Sequence, residues 1–187
     1  ITGEPYVTNM LNVLMMQTRY QKRRRNFYLR DRKTCIGYFH EYVDNKGVKP
    51  DTVTCHLLMA NYLDDTDTVY KALEFFEHMA VARIPYDEKI FNQFIVKLSL
   101  LNNSIDSAYE YLYKMQLAGI TKKVLTYESL FFLHAKGLGT LEDIEHLWKE
   151  MKSKAVEPRI ETYNSMISGV IKLAPPGEAR VYAEKYF

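Results

Sequence analysis

The residues best suited to chemistry form a run of basic and aromatic side chains near the start of the 187-residue chain. Between Arg19 and Lys33 there are eight basic side chains and one acidic one, a net charge of +7, whereas the other 172 residues carry 17 basic and 22 acidic side chains. Basic groups neutralise phosphates, and interleaved aromatic rings stack on bases. This pattern predicts a nucleic-acid contact made by Arg19, Tyr20, Lys22, Arg23, Arg24, Arg25, Phe27, Tyr28, Arg30, Arg32 and Lys33. A solvated charged loop and a nuclear localisation signal are the alternatives.

Catalytic and metal-binding chemistry has no comparable pattern in the sequence. The five histidines lack the H-x-x-x-H and H-E-x-x-H spacings of zinc sites, and the carboxylates at 64–67 lack the glycine and distal glutamate of a calcium loop. No phosphate loop or nucleophile elbow occurs, and no window reaches the roughly 18 apolar residues of a membrane span. Cys35 and Cys55 are expected to be buried in a reducing compartment. The sequence therefore favours a non-catalytic protein with no metal, no cofactor and no membrane span.

An internal repeat of 36 residues supplies the elements that must position these groups. The pairs that end each repeat are Pro50-Asp51, Tyr86-Asp87, Lys122-Lys123 and Pro158-Arg159. Three further columns keep the same spacing, namely Ala72, Ala108 and Ile144; Phe76, Leu112 and Trp148; and Met79, Met115 and Met151. A period in this range is the signature of stacked repeat architectures.

Within each repeat the apolar residues follow a helical period twice. Phe91, Phe94, Ile95 and Leu98 fall at i, i+3, i+4 and i+7, and breaking residues such as those at 102–104 and 137–140 separate the two helices. Thr140 has the spacing of an N-terminal cap with Asp143. We expect an all-α fold, an α-solenoid of about five stacked helix-turn-helix repeats forming one domain over residues 1–187. The repeats would span 5–51, with a basic insertion between helices at 19–33, then 52–87, 88–123, 124–159 and an incomplete 160–187.

Three segments resemble the pentatricopeptide repeat family. They are Gly47-Val-Lys-Pro-Asp51, Glu161-Thr-Tyr-Asn-Ser-Met-Ile-Ser-Gly169 and Leu147-Trp-Lys-Glu-Met-Lys-Ser-Lys-Ala-Val-Glu-Pro158. The resemblance implies single-stranded RNA binding in an organelle, with the fifth and last residues of each repeat jointly reading one base. Carried onto this chain, the base-facing candidates are Asn9 with Asp51, His56 with Asp87, Asn92 with Lys123, Glu128 with Arg159, and Asn164 without its partner.

Only one of these pairs, Asn9 with Asp51, resembles a base-reading pair of the family, of a type that favours a pyrimidine. Glu128 can only accept hydrogen bonds and faces Arg159, which is a natural ion-pair partner. Lys123 beside Asn92 is suited to a phosphate, a contact that positions a strand without reading its sequence. We therefore expect RNA contact that tolerates many sequences rather than base-by-base reading.

Together these observations favour a scaffold that binds RNA mainly through the basic segment and other proteins elsewhere. The most concrete form is a subunit of a mitochondrial ribosome or similar ribonucleoprotein, with a plastid as the alternative compartment. The final helix ends without a polar outer face, so partner proteins are expected to cover the C-terminal edge. A stand-alone factor for organellar RNA processing, stability or translation, and a purely protein-binding adaptor, remain as alternatives.

Overall fold

The computed structural model describes the backbone of residues 4–20, 28–64 and 66–184, and the side chains of residues 7–16, 34–64 and 66–184. This part of the chain is helical and contains no strand, which confirms the all-α fold. The α-helices are α1 Glu4–Tyr20, α2 Tyr28–Phe39, α3 Thr52–Leu63, α4 Val69–Val81, α5 Glu88–Asn102, α6 Asp106–Leu117, α7 Val124–Ala135, α8 Leu141–Ser153, α9 Ile160–Leu173 and α10 Ala179–Glu184. A π-helical turn, His40–Asn45, follows α2, and a short 3-10 helix, Thr66–Thr68, precedes α4.

The chain divides into two compact bodies, an N-terminal body of residues 1–86 and a C-terminal body of residues 87–187. In the N-terminal body α1 packs on α2 and α3, and α3 packs on α4. In the C-terminal body α5, α7 and α9 lie side by side, α6 packs on α5, α8 packs on α7 and α9, and α10 packs on α9. Helices α4, α6 and α8 each bury a narrow apolar stripe, whereas α3 and α7 are buried on most of their surface, as stacked helix pairs that cannot enclose a core alone require.

The helix ends explain why the repeat keeps its length. A residue with positive φ terminates the second helix of each of four repeats, at Gly47 (φ 68°), Arg83 (φ 55°), Gly119 (φ 71°) and Ala155 (φ 52°), 36 residues apart. Asp51 and Asp87 then cap the next helix by accepting a hydrogen bond from the backbone N–H of Thr54 and Ile90. The expected cap at Thr140 is confirmed as a reciprocal capping box with Asp143.

The core contains both cysteines, as expected from the sequence. Cys35 and Cys55 are free thiols with no exposed surface. Burial, and to a smaller degree the charge of Asp51, raises the pKa of Cys55 to about 12, so this residue is a protonated thiol at neutral pH.

The basic segment differs from the loop that the sequence predicted. Helix α1 continues through Arg19 and Tyr20, and α2 begins at Tyr28 and includes Arg30, Arg32 and Lys33. Arginine, lysine and leucine are strong helix formers, so the helices extend into a segment whose charge alone suggested a loop. Lys22, Arg23, Arg24, Arg25 and Phe27 lie outside the described residues.

Candidate nucleic-acid interface

Glu128 and Arg159 form the ion pair that their residue types predicted. Arg159, the residue before α9, donates from Nε to Oε1 of Glu128 at 3.0 Å and from Nη2 to Oε2. Oε1 also accepts a hydrogen bond from the Thr162 hydroxyl at 2.9 Å. The hydrogen bond to Glu128 raises the pKa of Arg159 above its ordinary value. Both functional groups at this pair of repeat positions are therefore engaged within the protein.

Asp51 is hydrogen-bonded to Asn12, three residues beyond the Asn9 with which the repeat count had grouped it. Asn12 donates from Nδ2 to both carboxylate oxygens of Asp51, at 3.1 and 3.0 Å, and accepts from the Thr54 hydroxyl at 2.7 Å. Thr54 and Thr162 occupy equivalent positions in the 36-residue repeat, so Asn12 corresponds to Glu128. The register assigned to Asn9 in the first repeat is thus corrected by three residues, and Asn9 is exposed.

A signal for the corrected register is present in the apolar residues around Asn12. Leu11 and Met15 are fully buried in α1, and Cys55 and Met59 are fully buried at matching offsets from His56 in α3. An insertion shifts a register that is obtained by counting residues along the chain. The spacing of buried apolar residues around the polar residue is not changed by the insertion.

The pair Asn92 and Lys123 is not joined by a hydrogen bond. Asn92 is only 5% exposed, and neither polar atom of its amide has a hydrogen-bond partner. Lys123 is exposed before α7, and its backbone N–H donates to Glu88 at 3.2 Å. Glu88 also accepts from the hydroxyl of Thr126 at 2.8 Å, so it supplies the cap that Lys123 lacks.

The remaining candidates are His56, Asp87 and Asn164. His56 is half-buried in α3 of the N-terminal body, and Asp87 caps α5 of the C-terminal body. Asn164 is exposed on α9, where its backbone carbonyl accepts a hydrogen bond from the Ser168 hydroxyl.

A cluster that the sequence analysis missed lies on the face of α7 that carries Glu128. Phe132 and Lys136 follow Glu128 at i+4 and i+8, and Lys136 Nζ lies 5.1 Å from the centroid of the Phe132 ring. Lys172 of α9 joins them, because its Cε lies 3.5 Å from the point where a side chain on Gly137 would begin. We call Phe132, Lys136 and Lys172 the lysine–phenylalanine cluster.

The cluster presents positive charge to solvent. Lys136 and Lys172 are exposed, and neither forms an ion pair with a described residue. The two lysines are 36 residues apart, so comparison of the repeats at this column would have revealed them. An aromatic ring beside two unpaired ammonium groups is suited to a base and its neighbouring phosphates.

The described residues offer little for other kinds of site. No group of three histidine, cysteine, aspartate or glutamate side chains in this part of the chain is arranged to hold a metal ion. Within the same residues, no helix has the length and apolar character needed to cross a bilayer.

Comparison with known proteins agrees with this architecture. Residues 111–172 match a family model described as a pentatricopeptide repeat domain. The fold is similar to that of the pentatricopeptide repeat protein PPR10 solved in complex with an 18-nt psaJ RNA element, with a TM-score of 0.66 and 19% identity over 95% of this chain. The present chain covers 25% of that PPR10 chain.

The alignment with a second solved structure spans most of both chains. It is the PPR domain of Arabidopsis thaliana protein-only RNase P 1 in complex with tRNA, with a TM-score of 0.66 and 13% identity over 98% of this chain and 86% of that one. No curated protein sequence gave a significant match. Residues 111–172 thus match a pentatricopeptide repeat domain, and the fold of the chain is similar to the folds of these two pentatricopeptide repeat structures.

Proposed function

We propose that this protein is a non-catalytic RNA-binding scaffold of an organellar ribonucleoprotein. The observation that carries the proposal is the lysine–phenylalanine cluster, which offers two unpaired cations and an aromatic ring on one face of α7 and α9. PPR10 and the PPR domain of protein-only RNase P 1 share the fold and were solved bound to RNA. Single-stranded RNA laid along this face would place a base near Phe132 and phosphates near Lys136 and Lys172.

Base reading by the code positions is limited in this proposal. Glu128 is held by Arg159, Asn12 is held by Asp51 and Thr54, and the amide of Asn92 is buried. To contact these side chains, a base edge would have to break their hydrogen bonds or displace packed atoms, and both cost free energy. Binding of a phosphate by an exposed lysine has no such cost. The protein therefore holds RNA mainly by its backbone, and binding tolerates many base sequences.

The basic segment of residues 19–33 supplies a second contact in this scheme. Its net charge of +7 is large enough to engage several phosphates, and its aromatic residues add stacking. Because the rest of the chain is net acidic, RNA would be held locally, and much of the surface would remain available to protein partners. A mitochondrial location, with the mitochondrial ribosome as the most concrete assembly, fits this division of surface.

Fluorescence anisotropy with labelled single-stranded RNA tests the proposal. Lys136→Glu and Lys172→Glu are compared with Lys149→Glu, which makes the same change of charge on α8, where Lys149 faces Glu145. We expect each cluster variant to weaken binding several-fold for every RNA sequence, and the control variant to change it little. Equal effects of all three variants would contradict a local contact, and absence of RNA binding by the unaltered protein at low salt would favour the protein adaptor.

The RNA that co-purifies with the native protein tests whether the protein belongs to a ribosome. Co-purification of the native protein with ribosomal RNA under mild salt is expected for a ribosomal subunit, whereas recovery of one transcript would indicate a stand-alone RNA factor.

A further inference from the structure

An open apolar groove of about 930 Å³ lies within the N-terminal body. Its walls come from the end of α2, from α3 and α4, and from the connecting segments at 49–52 and 82–85. The apolar lining consists mainly of Phe39, Val43, Leu58, Tyr62, Phe75 and Ile84. A groove of this size, lined by aliphatic and aromatic side chains, is large enough to receive apolar side chains of a ligand.

The π-helical turn at His40–Asn45 shapes one wall of the groove. The turn places His40, Val43 and Asp44 along the lining, and the Phe39 ring packs edge-on against Phe75 with centroids 5.5 Å apart. The second helices α4, α6 and α8 end without such a turn. π-helical turns cost regular hydrogen bonding and occur often at functional sites.

Cations dominate the groups at the rim that are free to pair with a ligand. Lys49, Lys71 and Arg83 are exposed, and none forms an ion pair with a described residue. Of the acidic residues in the lining, Asp44 is hydrogen-bonded to His40 at 2.5 Å, and Asp51 accepts hydrogen bonds from Asn12 and Thr54. Glu74 is thus the one lining carboxylate with no such partner among the described side chains.

Arg83 stands at a position where the backbone favours glycine. Its φ of 55° is in the left-handed region, and the equivalent residues of the neighbouring repeats are Gly47, Gly119 and Ala155. A long side chain there costs conformational free energy that glycine would avoid. The chain therefore keeps a large cation at the rim of the groove in spite of the backbone strain. Residues that keep such strain are often functional, which suggests that the Arg83 side chain is used.

We propose that this groove docks a segment of a partner protein that carries an apolar or aromatic anchor flanked by carboxylates. The anchor would insert beside Phe39 and Phe75, and its acidic neighbours would pair with Lys49, Lys71 and Arg83. An apolar lining with a basic rim matches a protein segment of this composition better than it matches RNA, whose backbone offers no aliphatic group to bury. This contact is separate from the lysine–phenylalanine cluster, which lies in the C-terminal body.

Selection of random displayed peptides on the purified chain tests the proposal. Peptides retained by the chain but not by a Val43→Glu variant are expected to be enriched in leucine or phenylalanine beside aspartate or glutamate. Synthetic copies of the retained peptides then serve as probes in calorimetry, together with matched copies in which lysine replaces each acidic residue. We expect the acidic peptides to bind about tenfold more tightly than their lysine counterparts.

Arg83→Gly is the decisive variant because it removes a rim cation while relieving backbone strain. We expect it to keep or raise the melting temperature and to weaken the acidic peptides about fivefold. Ala155→Gly is the matched control, since it relieves the same strain in the C-terminal body and should leave peptide binding unchanged. Failure to retain any groove-dependent peptide, equal binding of acidic and lysine peptides, or loss of RNA binding in place of peptide binding in Arg83→Gly would overturn the proposal.

Discussion

Arg159 reaches from the N-terminal end of α9 to Glu128 on α7 and donates to both oxygens of its carboxylate. The two residues are the last and fifth residues of one 36-residue repeat, the positions for which the sequence resemblance had implied base reading. Each thus satisfies the other, and the guanidinium is withheld from RNA. The same ion pair places the exposed Arg159 next to the face that carries the lysine–phenylalanine cluster.

Replacing Glu128 with glutamine should increase RNA affinity. Glutamine keeps the size of the side chain and an acceptor for Thr162, but it removes the negative charge that holds Arg159. The freed guanidinium can then contact a phosphate, so we expect binding to tighten by about threefold at low salt. Anisotropy titrations with single-stranded RNA measure this change, and weaker binding by the variant would show that the carboxylate itself contacts RNA.

The salt dependence of RNA binding should report the lysine–phenylalanine cluster directly. Each phosphate contact on a single strand contributes about 0.7 to the slope of log affinity against log salt concentration. The double variant Lys136→Gln with Lys172→Gln is therefore expected to lower the magnitude of the slope by about 1.4. Lys149→Gln should leave the slope unchanged, and an undiminished slope in the double variant would rule out phosphate contact by these lysines.

Stability should fall in acid partly through Glu150. Burial raises the pKa of this carboxyl, but hydrogen bonds and charge from Lys122 and Lys154 outweigh burial and hold the pKa below its usual range. A lowered pKa in the folded state stabilises the fold above the pKa of the unfolded chain, and this contribution disappears as pH falls through the folded value. We expect Glu150→Gln to show a shallower fall of the urea midpoint below about pH 4.5 than the unaltered protein. An equally steep fall in both would exclude this carboxyl as a source of acid sensitivity.

Two glycines with positive φ should respond differently to alanine. Gly119 has φ 71° and open space around it, whereas at Gly139, with φ 89°, a Cβ would overlap the ring of the buried His134. We expect Gly119→Ala to cost about 1 kcal/mol of unfolding free energy from backbone strain alone. Gly139→Ala should cost about 2–4 kcal/mol, because the packed imidazole must also move. Urea unfolding of both variants measures the difference, and equal losses would mean that the His134 ring gives way freely.

The helix N-terminal cap at Thr140 should make a measurable contribution to stability. Its hydroxyl accepts from the backbone N–H of Asp143, whose carboxylate in turn accepts from the Thr140 N–H. Thr140→Val keeps the side-chain shape and removes the acceptor, so we expect a loss of about 1 kcal/mol in urea unfolding. A loss near zero would indicate that solvent replaces the cap at the start of α8.

The all-α fold, the pairing of helices and the ion pair of Glu128 with Arg159 could all be predicted from the sequence. A 36-residue period, a 3.6-residue apolar period and residues that end helices are local properties, and they can be read without knowing which helices touch. Glu128 and Arg159 carry opposite charges at the fifth and last positions of one repeat, so their contact could likewise be predicted.

Features that depend on which helix faces meet could not be predicted from the sequence and appear only in the folded chain. The pairing of Asp51 with Asn12 rather than Asn9 follows from how α1 packs on α3, because the insertion in the first repeat disrupts any register counted along the chain. The lysine–phenylalanine cluster exists because α7 and α9 lie side by side, which brings Lys172 to the turn after Lys136. The apolar groove similarly requires the π-helical turn at His40–Asn45 and the left-handed backbone of Arg83, and the residue types at these positions dictate neither conformation. Charge and periodicity are properties of the sequence, whereas a surface made of residues from several helices forms only when those helices pack.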